Sequence, residues 1–265
     1  MRALGTLDKM STLYINPVQY FLTLGNDKVA VNELIGKNIQ LRFTGNIYCT
    51  VCGKKTYKSF GEGMCFNCFS NSPENAECII RPELCEAHLG KGRDPEWEKK
   101  MHLRPHYVYL AATNAVKVGV TREDQIPTRL IDQGAHKGII LAEVPYRQLA
   151  GAIEVSLKAH MSDKTNWQRM LKNEVLADID LVKEKDRVID LLPDELRQYK
   201  SANNEIVELI YPVLAYPGKV TSLSLDKTPV IEMQLTGIRG QYFIFEGVSV
   251  INIRKHSGYE VELIA

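Results

Sequence analysis

All six cysteines of this chain fall between Cys49 and Cys85, and none occurs in the long remainder to Ala265. Four of them form two C-x2-C pairs, Cys49-Thr50-Val51-Cys52 and Cys65-Phe66-Asn67-Cys68, separated by twelve residues. Two-residue spacing lets both sulfurs of a knuckle face one ion while nearby backbone N–H groups donate to them. Two knuckles complete a tetrahedral four-sulfur site with bonds of about 2.3 Å. Gly53 directly after the first pair, and Gly61 and Gly63 before the second, suit the tight turns this needs. Four thiolates favour Zn2+ over harder cations. An iron site or a redox dithiol pair are the alternatives. A closed site of four cysteines leaves no position for water, so its expected role is structural. The expectation is a zinc ribbon whose ligands are Cys49, Cys52, Cys65 and Cys68.

Cys78, Cys85 and His88 follow in Cys78-Ile-Ile-Arg-Pro-Glu-Leu-Cys85-Glu-Ala-His88. They read in two ways. They supply three ligands to a second ion, with His102 or His106 as the fourth, or the cysteines are small buried apolar side chains and His88 a satisfied polar residue.

The chain has 265 residues, enough for about two domains at roughly 100–200 residues each. Hydrophobic residues make up 45%, sufficient for a packed core, which excludes disorder as the main state. Residues 1–20 carry no apolar stretch behind a basic start, so no signal peptide is read there. No apolar run approaches the roughly 18–20 residues that span a bilayer. The expectation is a soluble, cytoplasmic protein with no membrane partner, in which metal ligation is favoured over a disulfide framework.

The first segment reads as β-rich. Val18–Leu24 and Lys28–Asn32 flank the turn Gly25-Asn26-Asp27, and Asn38–Phe43 is a third extended run. A Gly-, Lys- and Cys-rich module follows, then a charged connector from Gly90 to Pro105 with no clear apolar period. Tyr107–Ala111 and Ala115–Val120 read as strands around the turn Thr113-Asn114. Apolar residues at 146, 149, 150, 153 and 157 have helical spacing. Helical character continues over Trp167–Leu176 and Val182–Tyr199. Gln234–Ile238, Gln241–Phe245, Val248–Ile253 and Tyr259–Leu263 are strand-like runs broken at Gly240, Gly247 and Gly258. The fold class expected is α+β, with β-rich terminal segments around a zinc ribbon and a small α/β domain. The divisions are 1–45 (β segment), 46–104 (ribbon and connector), 105–204 (α/β domain with following helices) and 205–265 (β segment, a candidate to pair with 1–45).

Within the centre, Tyr107-Val-Tyr109-Leu, Lys117-Val118-Gly119-Val120-Thr121, the pair Arg129-Leu130 and a helix bearing Glu154 resemble the GIY-YIG nuclease superfamily. The resemblance is closer to the branch whose second motif reads Lys-Ile-Gly-x-Thr. It covers residues from Tyr107 to about Asn166. Over nearly its full length the chain also looks like an uncharacterised bacterial protein family in which a zinc ribbon precedes such a segment. The superfamily resemblance implies a GIY-YIG-like fold and one divalent metal held by the helix glutamate, a tyrosine that activates or orients water, and an arginine on the phosphate. Carried over by position, Glu154 would bind Mg2+ or Mn2+, Tyr109 would stand at the first-motif tyrosine and Arg129 would clamp the phosphate. A hard oxygen ligand suits Mg2+. The first motif lacks its glycine, and Lys117 stands where the second motif has tyrosine; it offers a point charge but no phenol.

The residues can be read without the resemblance. Tyr107 and Tyr109 are two apart and face one side of a strand, so either is a candidate, and Lys117 shares a face with Gly119. Strand tyrosines also serve simply as packing residues. Glu154 lies near the apolar stripe of its helix and needs a partner there, which a metal or Arg129 would provide.

Thirty-three Lys and Arg against 32 Asp and Glu exclude a strongly basic whole-protein field. By segment the picture differs. Residues 107–172 hold nine basic and six acidic side chains, and residues 173–200 five basic and eight acidic. Lys117, Arg122 and Arg129 in the centre, and Lys54, Lys55 and Lys58 in the ribbon, are candidates for phosphate contacts. The reading that results is a zinc-containing protein that binds DNA or RNA and cleaves phosphodiesters with one divalent metal. The competing reading is a non-catalytic nucleic-acid or ribonucleoprotein binding module on the same fold, and a third is an enzyme acting on another substrate.

Overall fold

The computed structural model describes residues 1–161 and 166–265. Asp163 and Lys164, counted above in the charge of the centre, lie outside them. The chain divides into two compact units: residues 1–70, 171–173 and 209–265 form the first, and residues 71–170 and 174–208 the second.

The first unit is mainly β. Its longest strand, Asn38–Tyr48, buries Ile39 and Leu41, the alternate positions that a one-faced strand requires. Tyr259–Ile264 pairs antiparallel on one side of it (Leu41 opposite Leu263) and Val230–Arg239 on the other (Leu41 opposite Ile231). Arg2–Thr6 adds beyond Tyr259–Ile264, so segments from both ends of the chain share one sheet. On the far side, Val230–Arg239 continues through Tyr242–Phe245 and Ser249–Asn252, an antiparallel meander turning at Gly240 and Gly247. The hairpin Gln19–Leu24 with Asp27–Ala30 closes on Gly25-Asn26, one residue shorter than the turn expected, and Ser11–Leu13 completes a separate three-stranded sheet.

The second unit carries a four-stranded antiparallel sheet. His106–Ala112 lies between Val116–Arg122 and Lys137–Val144, with Val207–Glu208 at the edge. Val108, Leu110, Ala112 and Val118 turn to a core shared with Ala150, Ile153 and Leu157 of the helix Arg147–Leu157, and with Leu181 and Val188 of the helix Leu181–Ile189. The other face carries Tyr107, Tyr109, Lys117, Gly119 and Thr121, because the register sets Tyr107 opposite Thr121 and Tyr109 opposite Gly119, and directly opposed residues share a face. The short helix Thr128–Asp132 lies at Gly138 of the neighbouring strand, where an added Cβ would come within 2.5 Å of Leu130.

Three expectations are revised. The expected helix Val182–Tyr199 is two helices, Leu181–Ile189 and Asp194–Arg197, because Pro193 cannot continue the first. Trp167–Leu171 is the helical part of the run expected to reach Leu176. The charged connector contains the helix Pro95–His102, capped by Asp94, whose carboxylate accepts from the Trp97 N–H. No described helix is long and apolar enough to cross a membrane.

Candidate metal centre and candidate phosphodiester site

The ribbon grows from the end of the Asn38–Tyr48 strand. Lys55–Thr56 folds back on Ile47 and Tyr48, so Cys49 and Cys52 sit in the connecting knuckle. The Cys49 N–H donates to the Lys54 carbonyl and the Gly53 N–H to the Cys49 carbonyl, both at 2.9 Å. The second knuckle starts from a Phe60–Met64 bridge and ends in the helix Phe66–Asn71, which carries Cys68. Thr50 N–H donates to the Gly63 carbonyl at 2.9 Å and ties the knuckles together. The four sulfurs all lie within 4.8 Å of one another, and those of Cys52 and Cys65 are 3.9 Å apart. Sulfurs bonded tetrahedrally to one zinc at about 2.3 Å stand about 3.8 Å apart. The cluster therefore has zinc-site geometry, and its residues fit the ion. Burial pushes the Cys49 thiol up, but backbone N–H groups at Cys65, Cys52 and Val51 outweigh it and bring the pKa down to about 6. Apart from the cysteines, Met64 is the one buried apolar residue grouped with this knuckle among the described residues, so the ribbon has almost no core of its own.

The tip of this module is basic and aromatic. Lys54, Lys55, Tyr57, Lys58 and Phe66 are all exposed, Tyr57 completely, and the Lys58 ammonium lies 5.2 Å from the Phe60 ring centroid.

In the second unit, Tyr109 is 1% exposed. Its phenol oxygen accepts a hydrogen bond from Gln133 Nε2 at 2.6 Å and interacts with the Arg129 guanidinium. Burial pushes this phenol above its ordinary pKa; the Arg129 charge and the two hydrogen bonds oppose the shift, and the Glu154 carboxylate adds to it. Tyr109, Arg129 and Glu154 thus share one electrostatic neighbourhood, with Gln133 as a fourth member. Arg129 and Gln133 come from the turn of helix at Thr128–Asp132 and its end, and Glu154 from Arg147–Leu157. Gly119 has a steric reason to be glycine. A Cβ there would stand 2.5 Å from the Tyr109 hydroxyl oxygen and 2.6 Å from Cζ, so the phenol lies directly over it.

The other candidates are placed less centrally. Tyr107 is half-buried on the same face, and burial followed by the charges of Glu143 and Glu123 raises its pKa. Lys117 is buried, at 6% exposure. Arg122 is half-buried and paired with Asp124 at 3.2 Å. His88 does not join Cys78 and Cys85. It is exposed and stacks on Tyr146, with ring centroids 5.0 Å apart. His106 is buried against the core, with Nδ1 2.8 Å from the Arg104 carbonyl oxygen.

Sequence reasoning missed Gln133 and the whole strand Lys137–Val144. Its run Gly-Ile-Ile-Leu-Ala is apolar without alternation, which does not separate strand from helix, although its length favours a strand.

A family described as "Protein of unknown function (DUF2797)" matches residues 36–261, and the chain belongs to it. No curated protein and no solved structure matches the chain.

Proposed function

We propose that this is a zinc-containing nucleic-acid-binding protein whose second unit is GIY-YIG-like and hydrolyses phosphodiesters with a single Mg2+ or Mn2+. The observation that carries the reading is the Tyr109 phenol, held by Arg129 and Gln133 over a glycine that it requires, with the Glu154 carboxylate of a separate helix within electrostatic reach. Hydrolysis of a phosphodiester needs an activated water, charge stabilisation on the phosphoryl oxygens and help for the leaving oxygen, which a held metal can supply in part. In this reading Glu154 holds the metal and Arg129 binds the phosphate. Tyr109, a phenol that burial pushes further towards its neutral form, orients these groups by hydrogen bonding. The zinc, held by the four ribbon cysteines, supplies structure. The exposed lysines and aromatic rings of the ribbon suit a polyanion with stacking bases, the lysines for phosphates and Tyr57 and Phe66 for base faces.

A second reading is a binding module without catalysis. It is favoured by the burial of Tyr109 and Lys117, which closes two of the five candidate catalytic side chains to solvent. Cleavage assays decide between them. Single- and double-stranded DNA and RNA are incubated with wild type and Glu154→Ala in Mg2+ or Mn2+. The first reading predicts cleavage by wild type and at least a hundredfold loss in the variant. Retained binding with no cleavage of any of the four substrates establishes the second.

A further inference from the structure

Residues 71–104 have an inverted burial pattern. Ile80, Leu84, Leu89 and Leu103 are exposed, at 80%, 41%, 58% and 40%. Inside lie Cys78 (8%), Cys85 (2%), Glu98 (2%) and His102 (4%). The regular structure here is one four-residue helix, a few single turns and the helix Pro95–His102, and the buried apolar residues grouped with the cysteines are Ala76 and Ala87. Apart from its packing on the helix Arg147–Leu157, where Pro82 and Glu83 lie against Gly151, the segment has little apolar burial to hold it, a need that small modules usually meet with a disulfide or a metal. Cys78 and Cys85 are free thiols.

We infer that Cys78, Cys85, Glu98 and His102 form a second, structural metal site, separate from the ribbon, for a borderline-soft divalent ion of which zinc is the type. Their ligand atoms all lie within 4.8 Å of one another. The Cys85 sulfur is 3.5 Å from His102 Nδ1, and the Cys78 sulfur is 4.0 Å from the same nitrogen and 3.9 Å from Glu98 Oε2. A tetrahedral zinc holding a sulfur at about 2.3 Å and a nitrogen or oxygen at about 2.05 Å keeps the pair about 3.6 Å apart. Glu98 Oε2 and His102 Nδ1, 2.5 Å apart, are closer than two ligands of one ion. The ion takes the place of the proton between them, and the two groups part to make room for it.

Three further features fit. Glu98 Oε1 is buried with no hydrogen-bond partner, a cost for any carboxylate that does nothing more than bond to His102. Glu98 and His102 are four residues apart on one helix, so both reach the same side. Gly92 lets the chain close over Glu98, since a Cβ there would lie 2.4 Å from Glu98 Cγ.

Charge also balances. Two thiolates, one carboxylate, a neutral imidazole and a divalent cation sum to one negative charge. Arg147 supplies one positive charge, interacting electrostatically with both thiols while its Nε and Nη2 donate to the carbonyls of Cys78 and Ile79 at 3.0 and 2.8 Å. Binding takes both cysteines as thiolates and His102 as the neutral imidazole with Nδ1 free of its proton. Thiolate and imidazole ligands select zinc over Mg2+, and four protein ligands leave no open position, so the site is structural.

The test is metal content, measured by mass spectrometry for all transition metals on anaerobically purified protein of verified fold. Wild type is expected to carry two zinc ions per chain. The ribbon variant Cys52→Ser/Cys65→Ser and the variant Cys85→Ala are each expected to carry one. If Cys85→Ala does not fold, wild type and the ribbon variant still decide. One ion in wild type that survives the ribbon substitutions supports this site and counts against the ribbon. One ion that is lost with the ribbon ligands, or no metal in folded wild type, overturns the second site. Cobalt substitution gives an independent readout: the ion left in the ribbon variant should absorb at shorter d–d wavelengths than that left in Cys85→Ala, because nitrogen and oxygen donors split the levels more than sulfur does. Identical spectra would overturn it.

Discussion

At Gly119 a single hydrogen atom decides whether the phenol of Tyr109 can lie where Arg129 and Gln133 bond to it, within electrostatic reach of Glu154. The nearest atoms to an added methyl group belong to a fully buried ring, which has little room to yield. Gly119→Ala is therefore expected to lower stability by about 1–3 kcal/mol through overpacking, measured as a fall in the urea midpoint. An unchanged midpoint would show that the ring repacks freely. Another residue on this sheet, facing the core, sets a dependence on acid. Burial brings the His106 imidazole down to about 4, against the pull of its hydrogen bond to the Arg104 carbonyl. The unfolded chain binds this proton below about pH 6.5, whereas the folded chain binds it only near 4. The stability this group confers is thus complete above about 6.5 and is lost as pH falls towards about 4, by at most about 1.4 kcal/mol per pH unit. Wild type is expected to lose more stability than His106→Gln between about pH 7.5 and about pH 5, a window that spans the unfolded-state pKa. Equal losses would assign the acid sensitivity elsewhere.

Among the elements, those with one apolar face were readable in the sequence and those without were not. The strands at Tyr107–Ala111 and Ala115–Val120, the helix around Ala150 and Ile153, and the C-terminal strands broken at Gly240, Gly247 and Gly258 all appear within a few residues of where alternation or helical spacing places them. The helix Pro95–His102 escaped because its buried residues are Glu98 and His102, so no apolar period exists to find. Its signal was chemical: Asp94 before Pro95 is a cap followed by a favoured first-turn residue, and Glu98 and His102 are spaced to share a face. The spacing of the ribbon cysteines carried the four-sulfur cluster outright. For the second cluster it suggested His88, which the chain turns outward, because sequence proximity is no guide to direction across a run of single turns. Among the described residues, both cysteine-bearing modules bury very little apolar surface. Metal removal is therefore expected to loosen the ribbon locally: chelation at neutral pH should abolish hydrogen-exchange protection of the Lys55–Thr56 pairing and the Phe60–Met64 bridge, while Ile39 and Leu41 in the sheet stay protected. Full protection after the metal has left would contradict a metal-dependent ribbon.

For the molecule as a whole, the near-equal totals of basic and acidic residues conceal a division of labour along the chain. Strands from both ends share the sheet of the first unit, and the ribbon that grows from this sheet presents exposed lysines and aromatic rings. The second unit, interrupted only by residues 171–173, holds the phenol, guanidinium and carboxylate that the proposed chemistry requires. Composition and turns suggested the order β segment, cysteine module, α/β centre, β segment, while the compact units part at residues 70 and 71, inside the expected cysteine module. Around Tyr109, Arg129 and Glu154 were named together through the resemblance, whereas Gln133 was not legible because it belongs to no motif, nor was the strand Lys137–Val144 that completes the sheet, because it carries no alternation. The functional account rests on this neighbourhood, so its most direct test is the rate of Mg2+- or Mn2+-dependent phosphodiester cleavage by wild type against Glu154→Gln, which keeps the side chain's size but removes its charge. The account predicts cleavage by wild type and a rate at least a hundredfold lower in the variant, with nucleic-acid affinity retained; equal rates in the two proteins would contradict it.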